Sequence, residues 1–510
     1  MVNGPGPVPG PSFLEEEHRV SYDFAPLVNN TFPAVNERFA ALNPATGEII
    51  GSVPECAGLV DEAVRGALAA QREWAKVPLF QRVGLVGKLA AVLEQHGEEL
   101  AQLDVLDTGS PIHVMRADIR ASVGMLRHQM GLAPQVFGRS GDRFTGDNIH
   151  FTLPQPFGVV ARFCAFNHPL MFSIMRIAAP LLMGNSLIIK PSEHTSLSTL
   201  RIGEILAPHI PPGLIQILTG GVPVGKAIVG HKDIKRITLT GGKAAALAFY
   251  RIAAESGHLK DFTFELGGKN PMVIYPDADA EKAFTSAVHG MNFYQTAGQS
   301  CGSTSRIFIH RSLYEQAKAA IKTACEAIRI GDPQDPDTLM AGLSTQQQFD
   351  KTLRYIELSK REGLPLLTGG ARLTTPPFDK GFYVPPTVFF DVTREHTLFR
   401  EEVFGPVLAL IPCDDERQML ADINAVEYGL TASVWTSSLD TAMEFARRVE
   451  SGTVWINGSS KHFPGFGFAG QKDSGLGQEE TLEELVSFTQ LKAVHYFGAE
   501  GRKNVEIRLI

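Results

Sequence analysis

After Pro156 the chain alternates short β-rich runs with helical ones, and no other feature restricts its fold so tightly. The segments are Gly158–Phe163, Met171–Leu182, Ser186–Ile189, Leu197–Leu206, Ile215–Leu218 and Ile234–Thr238. Short strands separated by helices predict βαβ units and a parallel sheet. A second series follows Pro271, with strands at Met272–Tyr275, Arg306–Ile309, Val407–Ile411, Ala432–Trp435 and Thr453–Ile456. The expected fold is therefore α/β, with two tandem, doubly wound, mostly parallel sheets that change over near Gly267–Gly268. Open sheets of this kind bind ligands beyond the carboxyl ends of their strands. Asp61–Leu106 reads as helical, with Val64 and Leu68, then Leu85, Leu89 and Leu93, recurring at helical spacing. Arg139–Leu153 and Leu485–Tyr496 read as strands outside either series, suited to a small β-rich arm for subunit assembly.

Composition narrows the function. The 510 residues are 44% hydrophobic and carry a net charge of −8 with both signs interspersed, so no basic surface for nucleic acid is expected. The longest apolar runs are too short to span a bilayer, and residues 1–20, rich in Pro and Gly, read as a flexible tail rather than a signal peptide. Cys56, Cys164, Cys301, Cys325 and Cys413 are odd in number and widely spaced. That excludes an obvious disulfide framework or zinc motif and favours a reducing, cytoplasmic setting. No metal site is expected.

Five short stretches hold the candidate chemistry. Cys301 lies in Gly298-Gln299-Ser300-Cys301-Gly302, where small neighbours leave a thiol unshielded; a nucleophile there needs a lowered pKa. The alternative is a buried structural cysteine. Glu265 ends the strand-like run Phe262-Thr263-Phe264, before Gly267 and Gly268, where partial burial makes a carboxylate a usable base; equally, strand-end acids are common. Asn167, just after the strand ending at Phe163, offers an amide to an oxyanion or simply serves a turn before Pro169. Lys190 and Glu193 sit where the hydroxyls of a ribose would be reached, or are solvated. Thr240-Gly241-Gly242-Lys243 is a plausible phosphate turn, although it lacks the full GxGxxG pattern.

Taken in order, the stretches resemble the aldehyde dehydrogenase superfamily from about Asn43 to the C-terminus. Asn43-Pro44-Ala45-Thr46-Gly47-Glu48 resembles its NPATGE segment, and Phe166-Asn167-His168-Pro169 its WNFP-type turn. Glu265-Leu266-Gly267-Gly268-Lys269 is similar to ELGGK, and Gly298 to Cys301 to GQxC. Glu402 to Val407 is similar to EIFGPV, and Gln471 to Gly477 to KxSGxG. The resemblance implies Cys301 as nucleophile, Glu265 as base, and Asn167 with the Cys301 N–H as oxyanion holders. It implies that Lys190 and Glu193 hold the adenosine ribose, Glu402 the nicotinamide ribose, and Phe404 the nicotinamide. Phe166, Thr240, Gly241, Gly242, Leu266 and Gly267 would line the rest of the cofactor. Glu193 would repel a 2′-phosphate, so NAD is expected ahead of NADP.

The same resemblance divides the chain into a dinucleotide-binding domain (21–138 and 156–267), a catalytic domain (268–478) and an oligomerisation arm (139–155 and 479–510) that builds a homodimer or homotetramer. His168, Phe172 and Met175, with Met291, Gln295 and Ser300, would line the substrate entrance. Gly302, His462 and Phe468 would complete it. That set is mostly apolar, which suits an aromatic or medium-chain aldehyde; Arg176 or Lys461 nearby would instead suit a carboxylated semialdehyde. Other readings are a coenzyme-A-acylating enzyme, against which Glu265 argues, and a silent binding protein. Three departures stand out: Phe166 for Trp, Gly242-Lys243 in the phosphate turn, and Gly467-Phe468-Ala469-Gly470 in place of PFGG.

Overall fold

The computed structural model describes residues 21–141 and 147–499. Two open sheets dominate it. In the first, the strands run in the order Gly475–Leu476, Asp261–Glu265, Ile234–Thr240, Val159–Phe163, Ser186–Lys190 and Ile215–Ile217. All pair in parallel except Gly475–Leu476. Val159–Phe163 alternates its side chains between two cores. Val160 joins Leu187 and Ile189 on one face, while Val159, Ala161 and Phe163 join Ile188 and Ile237 on the other. Burial on both faces explains why these strands read as continuous apolar runs.

The second sheet has the order Leu366–Thr368, Thr387–Phe389, Val407–Cys413, Arg306–His310, Pro271–Ile274, Thr431–Trp435 and Thr453–Ile456, parallel except at Leu366–Thr368. It carries its own large core, with Met272, Ile307 and Leu408 fully buried. The chain passes from Glu265, the carboxyl end of one first-sheet strand, to Pro271, the amino end of a second-sheet strand. The carboxyl edge of one sheet therefore faces the amino edge of the other, and the space between them is where the candidate residues collect.

The predicted helical stretch is three helices, Val60–Trp74, Leu79–Gln95 and Gly97–Thr108. Ahead of them lies a hairpin that periodicity does not reveal, Arg38–Leu42 with Ile49–Pro54. Its turn is Asn43-Pro44-Ala45-Thr46-Gly47. Asn43 Oδ1 accepts from the Ala45 N–H, and Gly47 adopts φ +72°, which favours glycine.

Near the C-terminus the strand read over Leu485–Tyr496 is shorter than expected. Leu482–Ser487 is helical and only Thr489–Tyr496 is a strand. Glu484, read as part of the arm, is buried under the first domain, accepting from Gln129 and Arg176. Gly475–Leu476, read as part of the catalytic domain, adds to the first sheet beside Phe264 and Glu265. Thr489–Tyr496 pairs antiparallel with Ile149–Pro156, which in turn meets Ser140–Gly141 in a small separate sheet. The predicted tail, residues 1–20, lies outside the described residues.

One side chain ties three of these parts together. Asn185, fully buried, accepts from the Gly158 N–H (3.0 Å) and donates to the carbonyls of Pro180 (3.2 Å) and Phe488 (3.0 Å). Asn185→Ala leaves the Gly158 N–H and the Phe488 carbonyl unpaired, while the Pro180 carbonyl keeps its bond from the backbone N–H of residue 185 (2.9 Å), and is expected to cost about 2–4 kcal/mol. The check is thermal unfolding of the purified variant: a melting temperature equal to wild type would contradict this accounting.

Candidate active site

Four carboxyl ends of the first sheet deliver the chemical groups. Phe163 leads through Cys164 and Ala165 to Asn167; Lys190, Thr240 and Glu265 end their own strands. The sheet reverses its order between Val159–Phe163 and Ile234–Thr240, and the crevice opens at that reversal. Lys190, Glu193, Gly241, Gly242, Glu402 and Phe404 line the resulting cleft, as do Phe166, Thr240, Leu266 and Gly267. Its inner end reaches Asn167, Glu265 and Cys301. A second cavity of about 450 Å³ meets the same three residues from the other side. His168, Phe172, Met175, Gln295, Ser300, Gly302, His462 and Phe468 line it.

Met291 is the exception. It lies in the second-sheet core, and its carbonyl accepts from Ser303 Oγ (3.0 Å), so it supports the nucleophile turn from behind. The turn itself is tightly built. Gly298 has φ +76°, and a Cβ there would stand 2.5 Å from the Gly405 carbonyl oxygen. Asn270 donates to the carbonyls of Cys301 (2.6 Å) and Ser303 (2.9 Å) while accepting from the Thr431 N–H (3.0 Å). Phe404 is held at φ 57°, unusual for a bulky residue, with its ring edge-on to Phe166 at 5.7 Å. Phenylalanine at 166 thus still packs an aromatic wall where the family pattern has tryptophan.

Each reactive group has a defined environment. Asn167 Nδ2 donates one hydrogen to the Gln299 carbonyl (2.9 Å), which leaves its second hydrogen for a ligand. Neither oxygen of the buried Glu265 carboxyl has a partner among the described residues. Burial and the nearby Glu479 charge push its pKa well above the usual carboxylate range, outweighing Arg176 and Arg162. Cys301 departs from expectation. Burial, with the charges of Glu265 and Glu402, pushes the thiol up to about 12 instead of lowering it. The resting thiol is therefore protonated.

Beneath Glu265 lies a buried set of charges that sequence reasoning missed. Arg162 bonds Glu479 at 2.6 Å, and Arg176 bonds Glu479 at 2.7 Å and Glu484 at 3.1 Å. Arg176, which the sequence offered with Lys461 as the alternative that would suit a carboxylated semialdehyde, is thus already ion-paired, and Lys461 lines a different depression. The only sequence signal was the run Glu479-Glu480, whose partners lie hundreds of residues away. Lys243 in the altered phosphate turn is likewise committed, at 2.7 Å from both Glu427 and Asp473.

The cleft's donor set fits a dinucleotide. Lys190 and Glu193, 3.6 Å apart, form a mixed cation–anion end suited to ribose hydroxyls. The helix Lys243–Glu255 opens onto the middle of the cleft through Gly241 and Gly242, and a helix N-terminus of this kind suits a phosphate. Glu402 accepts from the Gly268 N–H (2.8 Å) at the far end, and a Cβ on Gly267 would stand 2.2 Å from its carboxylate.

Comparison with known proteins decides the family. The sequence pattern of the aldehyde dehydrogenase family matches residues 32–494. The chain belongs to the aldehyde dehydrogenase family. It is 39% identical over 470 residues to aldehyde dehydrogenase tropH of Talaromyces stipitatus, covering 91% of each chain. It is 38% identical to betaine aldehyde dehydrogenase 1 of Rhizobium meliloti, covering 89% of this chain and 93% of that one. Among solved structures, the NAD+ complex of a Bacillus cereus aldehyde dehydrogenase superposes with TM-score 0.89 at 34% identity, covering 93% of this chain and 96% of the other. Both α/β sheets and their mostly parallel order are thus features of the family fold.

The raised thiol gives a pH test. Below its pKa, the thiolate fraction grows about tenfold per pH unit. Alkylation of Cys301 by iodoacetamide in the cofactor-free protein, followed by peptide mass mapping, is expected to accelerate continuously from pH 7 to 10. A rate that levels off below pH 8 would show a thiol of lowered pKa.

Proposed function

We propose that this chain oxidises an aldehyde to its carboxylic acid through a thioester on Cys301, with NAD as the acceptor. The observation that carries the reading is the meeting of two cavities, one fitted to a dinucleotide and one apolar, at Cys301, Glu265 and Asn167.

In this reading Cys301 Sγ bonds the aldehyde carbon and its proton leaves to the surroundings, giving a thiohemiacetal oxyanion. The free N–H of Asn167 and the Cys301 backbone N–H stabilise that oxygen, each donor contributing about 3–4 kcal/mol. Bound NAD supplies a positively charged ring that favours the thiolate and acts as the acceptor of the carbon's hydride. Lys190 and Glu193 would hold its adenosine ribose and Glu402 its nicotinamide ribose, with Phe166 and Phe404 as aromatic walls. Glu193 supports NAD over NADP by repelling a 2′-phosphate. Glu265, its oxygens unengaged, then takes a proton from water as that water adds to the thioester carbonyl. Collapse breaks the carbon–sulfur bond, and the thiolate is reprotonated as the acid leaves.

The lining supports a hydrophobic aldehyde, aromatic or medium-chain. Met125, Met171, Met175, Phe172, Trp455 and Phe468 face the substrate cavity. The neutralised Arg176 offers no free cation to a carboxylated semialdehyde. We further propose assembly as a homodimer or homotetramer through the small sheet, where Ile149, Leu153, Leu491 and Tyr496 are exposed. A reducing, cytoplasmic setting is supported by five free cysteines. Among the described residues no helix is long and apolar enough to cross a membrane.

Cys301→Ala is expected to abolish NADH formation from benzaldehyde or octanal, and the wild type to yield free acid at the same rate with and without coenzyme A. Residual turnover in the variant above about one part in a thousand, or an acyl-coenzyme-A product, would overturn the thioester-hydrolysis route.

A further inference from the structure

One polar pair in the substrate cavity has no part in the chemistry above. His168 Nδ1 lies 2.7 Å from Asp118 Oδ2, and both side chains are about nine-tenths buried. Asp118 comes from the helix Ile112–Leu132. His168 stands directly between Asn167 and Pro169, which opens the helix Pro169–Met175. Its ring is set edge-on against Phe172, with centroids 6.2 Å apart and planes at 85°. The imidazole is thus fixed on three sides: by its place beside Asn167, by the carboxylate behind it and by an aromatic ring.

Both members of the pair line the cavity beside Met125, Met171 and Phe172. A carboxylate on Nδ1 fixes the tautomer, so Nε2 is the nitrogen left for a ligand. The ring's hydrogen bond among the described residues is made through Nδ1. Burial alone lowers an imidazole pKa, but the charge and hydrogen bond of Asp118 outweigh it, and His168 is raised. Nε2 can accordingly accept from a hydroxyl when neutral and donate to an oxygen anion when protonated. A few placed polar groups in an apolar wall fix a ligand's orientation.

We propose that the Asp118–His168 pair reads an oxygen substituent on the substrate, remote from the aldehyde carbon, so that the preferred substrate is a hydrophobic aldehyde bearing a hydroxyl or phenolic group. A quaternary ammonium has no hydrogen to give and no lone pair to receive, so it would leave Nε2 unmatched. A carboxylate would face Glu265, Glu479 and Glu480 across the same cavity. His168 is a specificity residue in this scheme and Asp118 a positioning residue acting through it. The inference rests on the cavity being the aldehyde site.

The test compares kcat and KM for benzaldehyde with those for 3- and 4-hydroxybenzaldehyde in the wild type, His168→Phe and Asp118→Asn, all with NAD. A buried site built for a hydroxyl discriminates strongly against its absence, so the wild type should prefer one hydroxylated isomer in kcat/KM by at least about tenfold. His168→Phe should erase that preference, chiefly through KM, and Asp118→Asn, nearly identical in shape, should weaken it. A wild type without preference, or variants that change all three substrates in parallel, would overturn the inference. Misfolding of His168→Phe would not shelter it, because Asp118→Asn must move the same ratio. If the wild type reduces no NAD with any of the three, it is the proposed oxidation that fails.

Discussion

In the proposed reaction three groups from two sheets must reach one carbon atom, and the segment Glu265–Asn270 makes that possible. It leaves the carboxyl edge of the first sheet with Glu265 at its start and enters the amino edge of the second with Asn270 at its end. Asn270 then grips the nucleophile turn through the carbonyls of Cys301 and Ser303 and steadies the start of Thr431–Trp435. Six residues thus set the distance between base and thiol, and neither sheet alone could hold both. Gly267 and Gly268 fit the crowding: a Cβ on the first would strike Glu402, and one on the second would stand 2.8 Å from the Cys301 carbonyl oxygen.

Electrostatics around this junction run against the resting nucleophile. Burial, with the charges of Glu265 and Glu402, raises the thiol, while Arg162 and Arg176 are spent on Glu479 and Glu484. Buried pairs of this kind add little net stability, because desolvation offsets attraction. Their effect here is to fix where charge sits: Glu479 is held below the usual carboxylate range despite its burial, and Glu265 is left without a partner and pushed above it. Two carboxyls in one pocket are thereby separated into a fixed anion and a group able to exchange a proton.

Much of this was legible in the sequence because the site is made at strand ends. Glu265, Asn167, Lys190 and Thr240 sit at or just after the end of a short apolar run, and the alternation of runs fixes which edge they share, whereas Cys301 lies in a loop of small residues ahead of Arg306–His310. What was hidden depends on long-range packing. Asp118 and Gln129 look like ordinary polar positions on an amphipathic helix until the helix meets His168 and Glu484. Glu479 and Glu484 look like solvated acids until Arg162 and Arg176 close over them. Met291 carries an apolar side chain next to a reactive loop, which does not say on which side of that loop it falls. The raised thiol was also unforeseeable, since small flanking residues report access but not the charges gathered from other strands. The hairpin around Asn43 escaped notice because its strands alternate poorly and only its turn chemistry is distinctive.

The central claim, that a covalent acyl group on Cys301 is released through Glu265, is tested most directly by intact-protein mass spectrometry of Glu265→Gln mixed with benzaldehyde and NAD. The account predicts a stable adduct on Cys301 equal to the aldehyde less two hydrogens, accompanied by a single equivalent of NADH. Continued turnover without any adduct, or an adduct on another residue, would contradict it.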